Sequence, residues 1–296
     1  MAEVVGGLFT SHVPAIGGAI ARGAQNDPYW KPFFDGYAPV REWLAEVKPT
    51  VAVVFYNDHG LNFFLDCMPT FAIGAAPSYA NDDEGWGLQR FPTQAGAPEL
   101  SWAVIEQLVE SGFDPATCQS LKIDHAVTIP LALAWPEGTP AGLRIVPIAI
   151  NTVQHPLPSA ARCLALGRAV GEALASFAGD ERIVVMGTGG LSHQLDGERA
   201  GFINPDYDRF CLDHLPADPD ALTRHSVHEI VELAGTQGVE ILNWIAARGA
   251  LGATAHELSR TYHVPISNTA AAVMLLETEA ARAGGKAEAR SEAALA

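Results

Sequence analysis

Three short, unbroken apolar runs constrain this chain more than any other feature. They are residues 4–9 (Val-Val-Gly-Gly-Leu-Phe), 51–56 (Val-Ala-Val-Val-Phe-Tyr) and 183–187 (Ile-Val-Val-Met-Gly, led by Arg182). A strand with one face in water alternates apolar with polar residues. A run without alternation must be covered on both faces, as in a sheet sandwiched between helices. The stretches between the runs carry helical spacing. Tyr37, Val40, Trp43, Leu44 and Val47 fall three or four apart within 36–47, and helices are also expected over 102–109, 159–177 and 238–248. Residues 144–150 read as a further strand, with Pro147 suggesting an edge position or a bulge. Residues 268–277 fit either a helix or a strand.

Strands alternating with helices predict an α/β fold: one domain, a central mixed β-sheet flanked by helices, over residues 1–278. The Pro- and Gly-rich stretches near 74–98 and 136–142 read as long loops within that domain. Residues 279–296, rich in Ala, Glu, Gly and Arg, read as a flexible tail.

Composition narrows the partners. Thirty-four acidic residues against eighteen basic ones give a net charge of −16, which repels phosphate backbones and anionic lipid. Nucleic acid and membrane are therefore not expected as partners, and an anionic substrate would need a local positive centre such as a metal ion. No basic, apolar leader begins the chain, and the four cysteines (Cys67, Cys118, Cys163 and Cys211) form no CxxC pair. Reduced thiols in the cytoplasm are the expectation.

The histidines carry the chemical signal. His12, His59 and His193 each follow one of the three apolar runs. Binding sites of open α/β sheets gather beyond the carboxyl ends of the strands, so the three can converge there. One histidine after a strand is ordinarily just a hydrogen-bonded loop residue, and spacing alone leaves both possibilities open. His125 is a fourth candidate, with Asp124 beside it able either to orient an imidazole or to cap a helix starting near Ala126. Two histidines and one carboxylate make an iron(II) set with open positions. Glu240 is a candidate carboxylate, although by periodicity alone its position near a helix start better fits an exposed glutamate favoured by the helix dipole. The His225-x-x-His228-Glu229 cluster reads as surface helix, and Gly187-Thr188-Gly189-Gly190 lacks the spacing of a phosphate-binding loop.

Several segments together resemble the class III extradiol ring-cleaving dioxygenases. They are Thr-Ser-His-Val-Pro-Ala-Ile-Gly (10–17), Tyr-Asn-Asp-His (56–59), Pro-Thr-Phe-Ala-Ile-Gly (69–74), Asp-Glu-Gly-Trp-Gly (83–87), Gly-Thr-Gly-Gly-Leu-Ser-His-Gln-Leu (187–195), Arg-Ala-Gly-Phe-Ile-Asn (199–204), Gln-Gly-Val-Glu (237–240) and Pro-Ile-Ser-Asn-Thr-Ala (265–270). The likeness is strongest to the catalytic β subunits of protocatechuate 4,5-dioxygenases and runs from about residue 3 to about residue 277.

The resemblance implies a non-haem Fe(II) held by His12, His59 and Glu240. It implies His193 as catalytic acid/base, His125 as a substrate-facing histidine, and Ser267 and Asn268 near the ring carboxylate of the substrate. The implied reaction is 4,5-cleavage of protocatechuate with O₂ to a ring-opened semialdehyde, with gallate or 3-O-methylgallate as alternative substrates. The chain departs from the family pattern at Val13, Gly60 and Ala126, which bear on the pocket lining. Fused gallate enzymes carry a further domain. Its absence here implies either a separate small α subunit in an α₂β₂ assembly or a homodimer. Competing classes are a metal-dependent hydrolase, with zinc, and a non-catalytic binding protein of the Memo type, which tends to lose the iron set. All the positions named for iron and acid/base chemistry are intact in this chain.

Overall fold

A computed structural model describes residues 1–85, 87–88, 90–266 and 268–283. The strands are β1 (Glu3–Thr10), β2 (Val51–Tyr56), β3 (Phe71–Gly74), β4 (Ser78–Asn81), β5 (Gln94–Gly96), β6 (Ala116–Cys118), β7 (Lys122–Ile123), β8 (Arg144–Ile150), β9 (Arg182–Thr188), β10 (Ala255–Ile266) and β11 (Thr269–Thr278). The α-helices are α1 (Pro14–Ala21), α2 (Lys31–Asp35), α3 (Ala38–Val47), α4 (Pro98–Glu110), α5 (His125–Ala134), α6 (Ala160–Ser176), α7 (Pro205–His214), α8 (Val227–Ala234) and α9 (Ile241–Gly249).

All six residues of β2 are buried, as an unbroken apolar run requires. Its alternate side chains feed separate cores. Val51, Val53 and Phe55 pack with residues of α4, α6 and α9, while Ala52, Val54 and Tyr56 pack with residues of α1, α3 and α5. One mixed sheet between two helical layers is the expected fold class, formed as a single domain. The sheet runs β10-β11-β1-β9-β2-β8-β5-β4-β7, with β3 joined to β8 and β6. β1, β9, β2 and β8 are mutually parallel, so their carboxyl ends share one edge. β11 runs antiparallel to β1 and settles the open assignment of 268–277 as a strand.

Pro147 does not mark an edge or a bulge. β8 lies inside the sheet, paired throughout with β2 and on its other side first with β5 and then with β3. Pro147 falls between Ile145, the last residue paired with β5, and Ile148, where pairing with β3 begins. The missing N–H coincides with the change of neighbour, so it removes little from the ladder. The stretch 74–98, read as loop, carries β4 and β5, and 238–248 divides into a 3₁₀ turn over Gly238–Glu240 followed by α9. Residues 279–283 are helical; the rest of the expected tail lies outside the described residues. Among the described residues no helix is long and apolar enough to cross a membrane, and the cysteines are all free thiols.

Candidate metal centre

The ends of the parallel strands deliver side chains to one cavity of about 500 Å³. His12 follows β1, Asn57 and His59 follow β2, Thr152 and Val153 follow β8, and Gly190 and His193 follow β9. Glu240 enters from the 3₁₀ turn ahead of α9, and His125 is the first residue of α5. The wall is completed by Leu195, Thr236, Gln237 and Thr269.

Each of four imidazoles is anchored through Nδ1. His12 Nδ1 lies 3.2 Å from Thr188 Oγ1, whose hydroxyl donates to the Phe55 carbonyl. His59 Nδ1 lies 3.0 Å from Asp124 Oδ2, His125 Nδ1 2.9 Å from Glu84 Oε1, and His193 Nδ1 2.9 Å from the Leu191 carbonyl oxygen. Carbonyl and carboxylate oxygens only accept, so Nδ1 carries the proton and Nε2 is the atom each ring offers. The His12 ring meets those of His59 and His125 edge-on, and the ligand atoms of the three lie within 4.8 Å of one another.

Glu240 sits among these Nε2 atoms. Its Oε1 is 3.5 Å from His12 Nε2 and 3.6 Å from His59 Nε2, and its Oε2 is 3.9 Å from His193 Nε2. These distances exceed a good hydrogen bond. Donors that share one cation at about 2.0–2.2 Å stand roughly 3–3.5 Å apart, close to the 3.5 and 3.6 Å that separate Glu240 Oε1 from the His12 and His59 nitrogens. His12 Nε2 is buried and has no hydrogen-bond partner. An orphaned imidazole nitrogen beside a buried carboxylate is the donor set a divalent metal ion fits.

Electrostatics agree. Burial lowers the His12 pKa to about 4, so that ring is neutral and its Nε2 lone pair is available. Burial also opposes protonation of His59, but the Asp124 and Glu240 carboxylates outweigh it and raise its pKa to about 10. Burial disfavours the ionised Glu240, yet His12, His59 and His193 hold it well below the usual carboxylate range. A cation arriving here would meet a formed carboxylate and take the place of the His59 proton.

The glycines of 187–190 serve this arrangement, not a phosphate. Gly189 has φ +131°, and a Cβ there would stand 2.7 Å from Glu240 Cβ. A Cβ on Gly187 would meet Ala247 Cβ at 2.9 Å, so only glycine lets α9 lie this close to β9. The Gly190 N–H then donates to Glu240 Oε2.

The five residues expected to carry iron and proton transfer therefore share one cavity. Asp124 fills both roles open to it: Oδ1 caps α5 at the Ala126 N–H, and Oδ2 orients an imidazole, that of His59 and not of adjacent His125. Asn268 is exposed, on the turn between β10 and β11, and does not line the cavity; its neighbour Thr269 does. Ser267 lies outside the described residues. His228 is exposed beside Glu232, and Glu229 completes a capping box with Ser226, so these two lie on the expected surface helix, while His225 stands before it against Tyr207 and Phe210. Arg199 stacks on Phe202 and donates to the Glu232 carbonyl.

Two contributors gave no signal of their own. Asn57 bridges Glu240 Oε1 and His59 Nε2, and α9 orients it through Asn243, in positions 186 residues apart. Glu84 lies in a quoted segment, but nothing in its spacing points to His125.

Comparison with known proteins identifies the family. Residues 6–274 match the family described as the catalytic LigB subunit of aromatic ring-opening dioxygenase. A gallate dioxygenase of Pseudomonas putida is 35% identical over 195 residues, covering 66% of this chain and 57% of that protein. The chain thus spans little more than half the length of that relative. A 2,3-dihydroxyphenylpropionate/2,3-dihydroxicinnamic acid 1,2-dioxygenase of Rhodococcus jostii is 28% identical over 290 residues, covering 82% of this chain and 88% of its own. A crystal structure of an uncharacterized Escherichia coli K12 protein shares the fold, with TM-score 0.53 at 14% identity over 91% of this chain and 99% of its own. With the family match spanning nearly the whole chain and a strand-end cavity of histidines and one buried glutamate, the chain belongs to the LigB family, the class III extradiol ring-opening dioxygenases.

Proposed function

We propose that this protein is a non-haem Fe(II)-dependent extradiol dioxygenase that opens a carboxylated catechol with O₂ to a semialdehyde, cutting protocatechuate between carbons 4 and 5. One observation carries the assignment: the orphaned, neutral His12 Nε2 beside an ionised Glu240, at the strand-end cavity of a LigB-family chain. His12, His59 and Glu240 would hold the ion. Two neutral imidazoles and one carboxylate leave a divalent ion with formal charge +1, which offsets the chain's acidity where an anionic substrate must dock. When bound, Fe(II) supplies the one-electron chemistry by which O₂ attacks an aromatic ring and the charge that favours an ionised catechol.

The chain's own residues handle the protons. With Nδ1 held by the Leu191 carbonyl, His193 offers Nε2 to accept a hydroxyl proton from the catechol and to return it as the ring opens. Its backbone is fixed for this task, since the His193 N–H donates to Ala234 and the residue bridges Thr269. His125 would face the substrate from beside His12 and His59, whose rings it touches. Neither lysine nor arginine lines the cavity among the described residues, so neutral donors such as Thr152 and Gln237 are left to meet the ring carboxylate. Apolar Val153 and Leu195 stand exposed at the cavity, which suits a covering small subunit or a second copy of the chain.

A second substrate, gallate, is favoured by the 35% identity to the Pseudomonas putida enzyme. The test is anaerobic Fe(II) loading followed by O₂ uptake with protocatechuate, gallate and 3-O-methylgallate in parallel. Uptake with a yellow ring-opened product from protocatechuate is expected. Uptake with gallate alone moves the assignment to gallate, and no uptake with any of them, or activity with Zn(II) alone, overturns it.

A further inference from the structure

Glu84 is a carboxylate buried to 3% exposure for which the chemistry above has no task. A buried carboxylate is costly unless its oxygens are satisfied. Glu84 Oε1 accepts both the backbone N–H and Nδ1–H of His125, each at 2.9 Å. Among the described residues no lysine or arginine pairs with it.

The loop that carries Glu84 is held by other residues. Asp83 accepts from the Gly87 and Leu88 N–H groups at 3.0 and 3.3 Å, and Asn81 Oδ1 accepts from the Phe91 N–H at 2.8 Å. Asp82 pairs with Arg90 at 2.8 Å and with Lys122 at 2.5 Å. Glu84 thus adds nothing to the loop's own turns and spends Oε1 on the backbone N–H and the imidazole of one residue, His125. A carboxylate cannot donate, so it fixes His125 with its proton on Nδ1. Nε2 is the nitrogen left over, on a ring that lies beside those of His12 and His59 at centroid distances of 5.3 and 4.1 Å.

We propose that Glu84 is a positioning residue of the ring-opening reaction: it locks the tautomer and plane of His125 so that Nε2 meets the bound catechol as an acceptor. The proposal rests on the dioxygenase assignment for its effect on rate, though not for the tautomer itself.

The experiment is a double-mutant cycle with a separate spectroscopic reading. Glu84→Ala should lower kcat about 10–100-fold, the range for groups that orient a site histidine. Glu84→Gln, which keeps an acceptor oxygen, should recover most of that loss. In a His125→Ala background, Glu84→Ala should change kcat by no more than about twofold, because its effect passes through His125. An equal loss in both backgrounds would show a merely structural role and overturn the proposal. Imidazole ¹⁵N NMR on the metal-free wild type should show His125 protonated at Nδ1, and a proton at Nε2 alone would overturn it as well. If the wild type consumed no O₂ with any of the three catechols, the dioxygenase assignment would fail while the NMR reading still decided the role of Glu84.

Discussion

The Gly190 N–H donates to Glu240 Oε2 over 2.7 Å, and Asn57 Nδ2 donates to Glu240 Oε1 over 3.1 Å. Both carboxylate oxygens thus face donors, and only an ionised group satisfies both. Glu240→Gln would turn an amide N–H₂ against one of those donors and remove the charge that a cation needs. The variant should lose stoichiometric iron on anaerobic loading and dialysis, and His12→Ala should do the same. Metal analysis checks it: a variant that keeps one iron per chain removes that residue from the ligand set.

His193→Ala should behave differently. His193 Nε2 stands farther from Glu240, at 3.9 Å, than the two other imidazoles do. The variant should retain iron and bind substrate anaerobically, yet turn over about 10²–10⁴-fold more slowly, the range for a lost acid/base group. An unchanged kcat would rule out proton transfer by His193.

Arg248 anchors α9 from the far side. It is 1% exposed and, among the described residues, forms no salt bridge with a carboxylate. Its guanidinium donates instead to the carbonyls of Leu215, Pro216, Gly252 and Ala253 at 2.7–3.2 Å. Burial, with Arg168 nearby, lowers its pKa to about 10, still far above neutrality. Arg248→Met fills the volume but leaves those acceptors without a donor. A loss of about 3–5 kcal/mol is expected. Denaturant unfolding of the metal-free protein measures it, and a loss under about 1 kcal/mol would mean that water reaches the carbonyls.

The sheet centre was legible because β1, β2 and β9 are covered on both faces and so read as unbroken apolar runs. β10 was not. It is an edge strand, and charged Glu257 and Arg260 interrupt it as solvated edges require, which erases the apolar signal. The histidines were legible individually through their place after strands. Their convergence was not, since it depends on strand order, with β9 inserted between β1 and β2. Glu240 could not be told from an exposed first-turn glutamate by periodicity. Its burial comes from Gly187 and Gly189 admitting α9, a relationship between segments about fifty residues apart. The partner of His125 was invisible for the same reason: Glu84 reaches it across the loop that follows β4.

The thiols offer a test of the packing that is independent of metal. Cys163 in α6 and Cys211 in α7 are 0% and 2% exposed, and burial pushes both thiol pKa values far up. Burial also raises the pKa of half-buried Cys118, while Cys67 is exposed. Only thiolate reacts, so a raised pKa and a closed surface suppress labelling together. In the native protein a thiol reagent should modify Cys67 quickly, Cys118 slowly, and Cys163 and Cys211 only after denaturation. Raising the pH from about 7 to 9 should leave the buried pair silent, because their folded pKa values stay above that window. Mass mapping of the labelled peptides reads the order. Rapid modification of Cys163 in the folded protein would show that it is not closed into the core that α4, α6 and α9 share.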